Sequence, residues 1–116
     1  IEKEAISDLD KGFVSRFKSL VEERMKDAEL NVEDLGRNMG MSRVQLYRKL
    51  KSLTNYSPNE LLRQMRLKKA ASLLASSDMT VAEIAYEVGF SSPSYFTKCY
   101  KEQFGESPTE FLKRRG

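Results

Sequence analysis

A chain of 116 residues with 40% hydrophobic content has material for one domain, or for two small coupled cores, and its single cysteine, Cys99, excludes an internal disulfide framework. The absence of histidine removes the commonest metal ligand and general base. The net charge of +3 is modest but unevenly placed: residues 1–41 carry seven Lys/Arg against ten Asp/Glu, and residues 42–116 carry thirteen against seven. A basic surface confined to part of a chain is the electrostatic footprint of a phosphate-binding face.

No stretch alternates with a period of two, and Gly and Pro sit at boundaries, so the pattern predicts an all-α fold of about seven helices. The first is expected over about Asp10 to Lys26, with Phe13, Phe17, Leu20, Val21 and Met25 forming an inward stripe. Asn31 is placed to cap a second helix, Val32 to Met39, which Gly40 ends. Ser42 caps a third from Arg43 to about Leu53, and Asn55 follows it as a residue that tolerates the left-handed conformation. Ser57-Pro58 opens a long fourth helix running to Ser76. About 18 residues at ~1.5 Å each give a rod of ~27 Å. Thr80 caps a fifth helix, Val81 to Val88; a sixth spans Pro93 to Phe104; Pro108 opens a short seventh.

The chain states one pattern twice. Val32 to Ser42 returns as Val81 to Ser91 at an offset of 49, and Ser57-Pro58-Asn59-Glu60-Leu61-Leu62 returns as Ser107-Pro108-Thr109-Glu110-Phe111-Leu112 at an offset of 50. Each copy reads as helix, Gly-containing turn, helix, which is the layout of a helix-turn-helix. The expected organisation is a linker over 1–9, a first subdomain over 10–57, a connecting helix over 58–76 and a second subdomain over 77–116, the subdomains being homeodomain-like three-helical units.

On the third helix Leu46, Leu50 and Leu53 share one face and are expected to be buried, leaving Val44, Tyr47, Arg48 and Lys51 on another. Arg48 suits a bidentate contact to guanine, Tyr47 a base edge or a phosphate, Val44 a thymine methyl, and Lys51 the backbone; Arg43 reaches either base or phosphate. The offset of 50 projects this face onto Ser94, Thr97, Lys98 and Lys101, and the buried pair onto Phe96 and Tyr100, with Ser92 and Tyr95 near the exposed helix start. Plainer roles stand beside these. Any one exposed cation is as readily a solvated charge, and Tyr47 or Tyr95 can pack on a neighbouring helix. Arg63, Arg66, Lys68 and Lys69 read as a phosphate contact or, more often, a solubilising face, Cys99 as an inert packed thiol, and Lys113-Arg114-Arg115 as a weak phosphate contact or a frayed end.

These residues resemble the tandem helix-turn-helix DNA-binding domain of AraC/XylS transcription regulators over about Val32 to Leu112. The likeness rests on Ser42, Leu46, Arg48 and Leu50-Lys51, then Ser57-Pro58, Arg66-Leu67, Ala70 and Leu73-Leu74. It continues through Ile84-Ala85, Val88-Gly89-Phe90, Tyr95-Phe96, Tyr100-Lys101, Phe104-Gly105 and Ser107-Pro108. It implies two recognition helices entering successive major grooves, joined by the long central helix. Asn55 stands where the family usually has glycine, and Lys98 where arginine, with its planar fork for guanine, is frequent. Met41 to Lys51 also resembles the version fused to receivers in hybrid two-component sensors, which implies an upstream phosphorylated receiver controlling dimerisation and a carbohydrate signal.

The expected function is therefore sequence-specific binding of double-stranded DNA in transcription regulation, as the output domain of a larger regulator. Ile1 in place of Met fits such a segment. A helical protein-interaction module is the alternative, disfavoured by the basic Arg48, Lys51, Lys98 and Lys101. An enzyme is the third class, and no catalytic constellation, metal site or cofactor motif can be assembled. Partners are DNA, an upstream receiver or sensory domain, a second copy brought by that parent, and RNA polymerase. No apolar run approaches the ~18–20 residues of a membrane span and no leader is present, so the expected location is cytoplasmic, with a parent free to be membrane-anchored.

Overall fold

The computed structural model describes residues 7–116, which form seven helices: α1 (Asp8–Arg24), α2 (Val32–Asn38), α3 (Arg43–Thr54), α4 (Pro58–Ser76), α5 (Val81–Glu87), α6 (Pro93–Phe104) and α7 (Pro108–Arg115). No strand occurs among the described residues. The chain divides into two compact units, one of residues up to Arg24 with Glu29–Leu62, the other of Met25–Ala28 with Arg63–Gly116. Helix α4 runs without a break across the division. The expected linker over 1–9 lies largely outside the described residues, but Asp8 and Leu9 are already helical.

The first helix starts two residues earlier than its apolar stripe suggests because Ser7 supplies the cap: its Oγ accepts from the Asp10 N–H at 3.1 Å. It also ends two residues earlier, at Arg24. Met25–Ala28 belongs to the second unit, where the Asp27 carbonyl accepts from Arg66 Nη2 at 2.9 Å and Lys26 pairs with Glu87 at 3.2 Å. Within the stripe, Phe17 and Val21 are fully buried, and Phe13, Leu20 and Met25 partly so. The second and fifth helices each end one residue short of the expected bound, with Met39 and Val88 as C-caps.

In the first unit α1, α2 and α3 pack on one another, burying Phe17, Val21, Leu30, Val32, Leu35, Leu46 and Leu50. Each large aliphatic or aromatic side chain so buried contributes about 1.5–3 kcal/mol. Arg16 Nη2 donates to the Asn38 carbonyl at 2.9 Å, joining α1 to the end of α2. In the second unit one cluster gathers Leu67, Ala70, Leu74, Ile84, Ala85, Val88, Phe90, Phe96, Cys99 and Tyr100. Its aromatic rings pack tilted or edge-on: Phe90 to Phe96 at 5.3 Å between centroids, Phe96 to Tyr100 at 5.8 Å, Tyr100 to Phe104 at 4.6 Å.

Reciprocal capping boxes define four helix starts. Ser42–Gln45, Ser57–Glu60, Thr80–Glu83 and Ser107–Glu110 each exchange two side-chain-to-backbone hydrogen bonds at 2.7–3.2 Å. The repeat holds at the helix ends too, where Asn55 (φ 69°) and Gly105 (φ 82°) occupy the left-handed region after α3 and α6. Two residues of the C-terminal basic run are held by the fold. Arg115 Nη1 donates to the Leu74 and Ala75 carbonyls at 2.7 and 2.8 Å, closing the end of α4, and Arg114 grips Glu106 through Nε and Nη2 at 3.2 and 2.7 Å.

Candidate nucleic-acid interface

Helix α3 is fixed by its Ser42–Gln45 box, by Leu46 and Leu50 at zero exposure, and by Asn55, whose N–H donates to the Lys51 carbonyl at 2.9 Å. Leu53, expected buried with them, is only half-buried at the helix end. With one face committed to the core, Arg43, Val44, Tyr47, Arg48 and Lys51 are all exposed, Val44 at 56% and Tyr47 at 48%. Exposure at that level sets both apart from core residues. Arg43 Nη1 lies 3.5 Å from Glu33 Oε2 on α2, a weak surface pair. Arg43 and Tyr47 line a small hollow of about 130 Å³ with Val32, Ser57, Pro58 and Asn59. Arg48 lines a wider, open hollow with Gly40, Met41, Gln45 and Lys49.

Helix α6 opens on Ser92, whose Oγ accepts from the Tyr95 N–H at 3.2 Å, with Pro93 in the first turn. Phe96 and Tyr100 are buried at the positions matching Leu46 and Leu50. Ser94, Tyr95, Lys98 and Lys101 are exposed, whereas Ser92 and Thr97 are half-buried. Tyr95 is 51% exposed with its ring 5.9 Å from Phe90. Its phenol is pushed above the usual tyrosine value, first by its hydrogen bond with Cys99, with burial adding and Arg63 opposing.

The electrostatics single out the same two helices. Every other helix carries an acid in its first turn: Asp8 and Asp10 in α1, Glu33 and Asp34 in α2, Glu60 in α4, Glu83 in α5, Glu110 in α7. α3 and α6 carry none there. Over their whole length they hold a single acid, Glu102, against six lysines and arginines, of which all but Lys49 are exposed. Among the described residues no group of three or more His, Cys, Asp or Glu is placed to hold a metal ion. No helix there is long and apolar enough to cross a membrane.

For some side chains near the site the sequence pattern does not show what they touch. Arg66, in a basic run that reads as solvated, is half-buried; burial lowers its pKa while Asp27 raises it, and its Nε is buried without a hydrogen-bond partner. It packs at the turn before α6, where Gly89 (φ 98°) lies so close that a Cβ there would stand 2.7 Å from Arg66 Nε and 2.0 Å from the Met25 carbonyl oxygen. Lys49, absent from the projected face, reaches back to α1, with its ammonium 4.8 Å from the Phe13 ring centroid.

A family model described as a helix-turn-helix domain matches residues 35–114. The chain belongs to the AraC-type helix-turn-helix family. Over 109 residues it is 37% identical to histidine kinase P4 of Formosa agariphila, a match covering 94% of this chain and 8% of that protein. The C-terminal domain of AraT, a response regulator from Geobacillus stearothermophilus, superposes with a TM-score of 0.82 at 28% identity, covering 94% of this chain and 87% of that one. The DNA-binding domain of AdpA, a global transcriptional factor solved in complex with a target DNA, superposes at 0.81 with 30% identity, covering 86% and 89%. The chain spans between 8% and 37% of the length of the first curated relatives it matches.

Proposed function

We propose that this chain binds double-stranded DNA sequence-specifically as the output domain of a transcription regulator, with α3 and α6 each laid in a major groove. The observation that carries this reading is the selective absence of carboxylates from the first turns of α3 and α6. A helix N-terminus carries partial positive charge that favours phosphate, and a carboxylate placed there would neutralise it and repel the backbone. On α4, α5 and α7 the first-turn acid is the capping-box glutamate, a place that the uncharged Gln45 fills on α3.

On this reading Arg48 takes guanine, Val44 and Tyr47 pack on base edges, and Arg43 and Lys51 meet phosphates. Helix α6 reads through Ser94, Tyr95 and Lys98, with Lys101 on the backbone and the half-buried Ser92 and Thr97 at the margin of the contact. Lysine lacks the planar fork of arginine, so α6 contributes more to affinity than to choice of sequence. The activity is binding, with no catalytic step.

The likeness to a histidine kinase and to a response regulator's C-terminal domain supports a place in a two-component system, downstream of a receiver or sensory domain and on the cytoplasmic side of any membrane anchor. Dimerisation through that parent would add avidity of about 10²–10⁴ without new base contacts, and RNA polymerase is the further partner. Selecting sites from random duplex and measuring affinity against salt tests the reading. Neutralising roughly six phosphates gives a slope of log affinity against log salt near −5. A flat profile, or no selected sequence, would sink it. Sedimentation of the free domain should show a monomer.

A further inference from the structure

Lysine 49 sits on α3 next to Arg48, yet it belongs to the α1 side of the helix. Its repeat counterpart, fifty residues on, is Cys99, which is 4% exposed, so this register position faces packed protein and not the groove. Lys49, unlike Cys99, keeps 41% of its side chain exposed, and its ammonium still meets a receiving surface. Two residues of α1 supply it: the ammonium lies 4.8 Å from the Phe13 ring centroid and 3.9 Å from Asp10 Oδ1. The capture is loose. Both charged side chains remain partly exposed, a pair of this length is weak, and a cation over a partly wet ring adds only modestly. Lys49 also lines the open hollow that contains Arg48 and Gln45, so its flexible four-carbon stem has an alternative berth beside the groove face.

Resting on the DNA-binding reading above, we propose that Asp10 and Phe13 of α1 are specificity-determining residues that never touch DNA: they hold the Lys49 ammonium off the phosphates and so suppress sequence-independent binding by α3. Phosphate contacts raise affinity for every sequence alike, whereas base contacts discriminate. A cation withheld from the backbone therefore improves the ratio of specific to non-specific affinity. The restraint belongs to repeat one alone, since the matching position in repeat two is the buried Cys99. Whatever reseats α1 then changes how firmly α3 holds random DNA.

The test compares the chain with Asp10→Asn, Lys49→Ala, their double variant and Asp8→Asn as a charge control, on a selected and on a random duplex. Asp10→Asn is expected to steepen the salt slope on random duplex by about one, because one more phosphate is neutralised. Lowering salt from 200 to 50 mM then gains the variant about 3.5-fold more affinity than it gains the parent chain. Lys49→Ala should leave random-duplex binding unchanged and, in the double variant, should erase the gain. An unchanged slope in Asp10→Asn, an equal gain in Asp8→Asn, or a gain that survives loss of Lys49 overturns the inference while leaving DNA binding intact. Failure of the parent chain to bind either duplex overturns both.

Discussion

Replacing Gly89 with alanine puts a methyl group where the fold has no room for one. The backbone at Gly89 sits at φ 98°, well past the left-handed region that other residues visit, and the added Cβ would lie 2.0 Å from the Met25 carbonyl oxygen and 2.9 Å from Arg66 Cζ. The first effect costs about 1–2 kcal/mol. The second is overpacking, worth about 1–3 kcal/mol, and the obstructing atom is a backbone carbonyl that cannot swing away as a side-chain tip would. Together they remove about 2–5 kcal/mol from a domain whose whole stability is on the order of 5–15 kcal/mol. Gly105 is the internal control. It lies in the same unit at φ 82°, but a Cβ there meets nothing within 4 Å, so Gly105→Ala is expected to show the backbone cost alone. Urea titrations followed by far-UV circular dichroism give both values. If the two variants lose the same stability to within ~0.5 kcal/mol, the close approach of Met25 to Gly89 is wrong and with it the packing of residues 25–28 against the turn.

Two further outcomes are open to direct measurement. Arg48→Ala should cost ~1–3 kcal/mol on the selected site and relax choice at one or two base pairs, whereas Lys51→Ala should weaken all sequences alike; equal losses on specific and random duplex for both would remove Arg48 from the base-reading set. Acid should destabilise the second unit: Glu106 is held below the usual carboxylate range by Arg114, and Glu110 by hydrogen bonds from the Ser107 backbone and side chain, so their contribution is present above the unfolded value of about 4.3 and disappears as pH falls through the lower folded values. Glu110→Gln keeps the geometry that Gln45 already shows at α3 but cannot titrate, and should flatten part of the fall in urea midpoint between about pH 5 and 3; an unchanged fall would place the acid sensitivity elsewhere.

The repeat made much of this molecule legible. It carried the buried pair Leu46 and Leu50 onto Phe96 and Tyr100, and the left-handed closure at Gly105 onto Asn55, because both follow from helix periodicity and local backbone chemistry. It was less informative wherever a partner distant in sequence decides. Thr97 is half-buried although its counterpart Tyr47 is exposed, since α6 packs in different surroundings. The end of α1 is set by Asp27 meeting Arg66, 39 residues away, and no local pattern encodes that. Arginines misled most. Arg66 reads as part of a solubilising face, and Arg114 and Arg115 as a weak phosphate contact or a frayed end, yet each finds a carbonyl or carboxylate in the folded chain, and composition does not see acceptors. Lys49 was hidden for the same reason: its neighbours on α3 say groove, and only Phe13 and Asp10 say otherwise.

The one thiol of the chain lies inside the second unit, 4% exposed in the cluster that holds α6 in place. A buried thiol reacts with an alkylating reagent only when its surroundings open, so the labelling rate of Cys99 is the intrinsic rate multiplied by the open fraction. That makes Cys99 a clock for the opening of the second unit. An opening free energy of about 4 kcal/mol would slow labelling roughly a thousandfold, and a change of about 1.4 kcal/mol shifts it tenfold. Ligand that engages α6 must lengthen this interval by mass action, whether or not anything moves in the first unit.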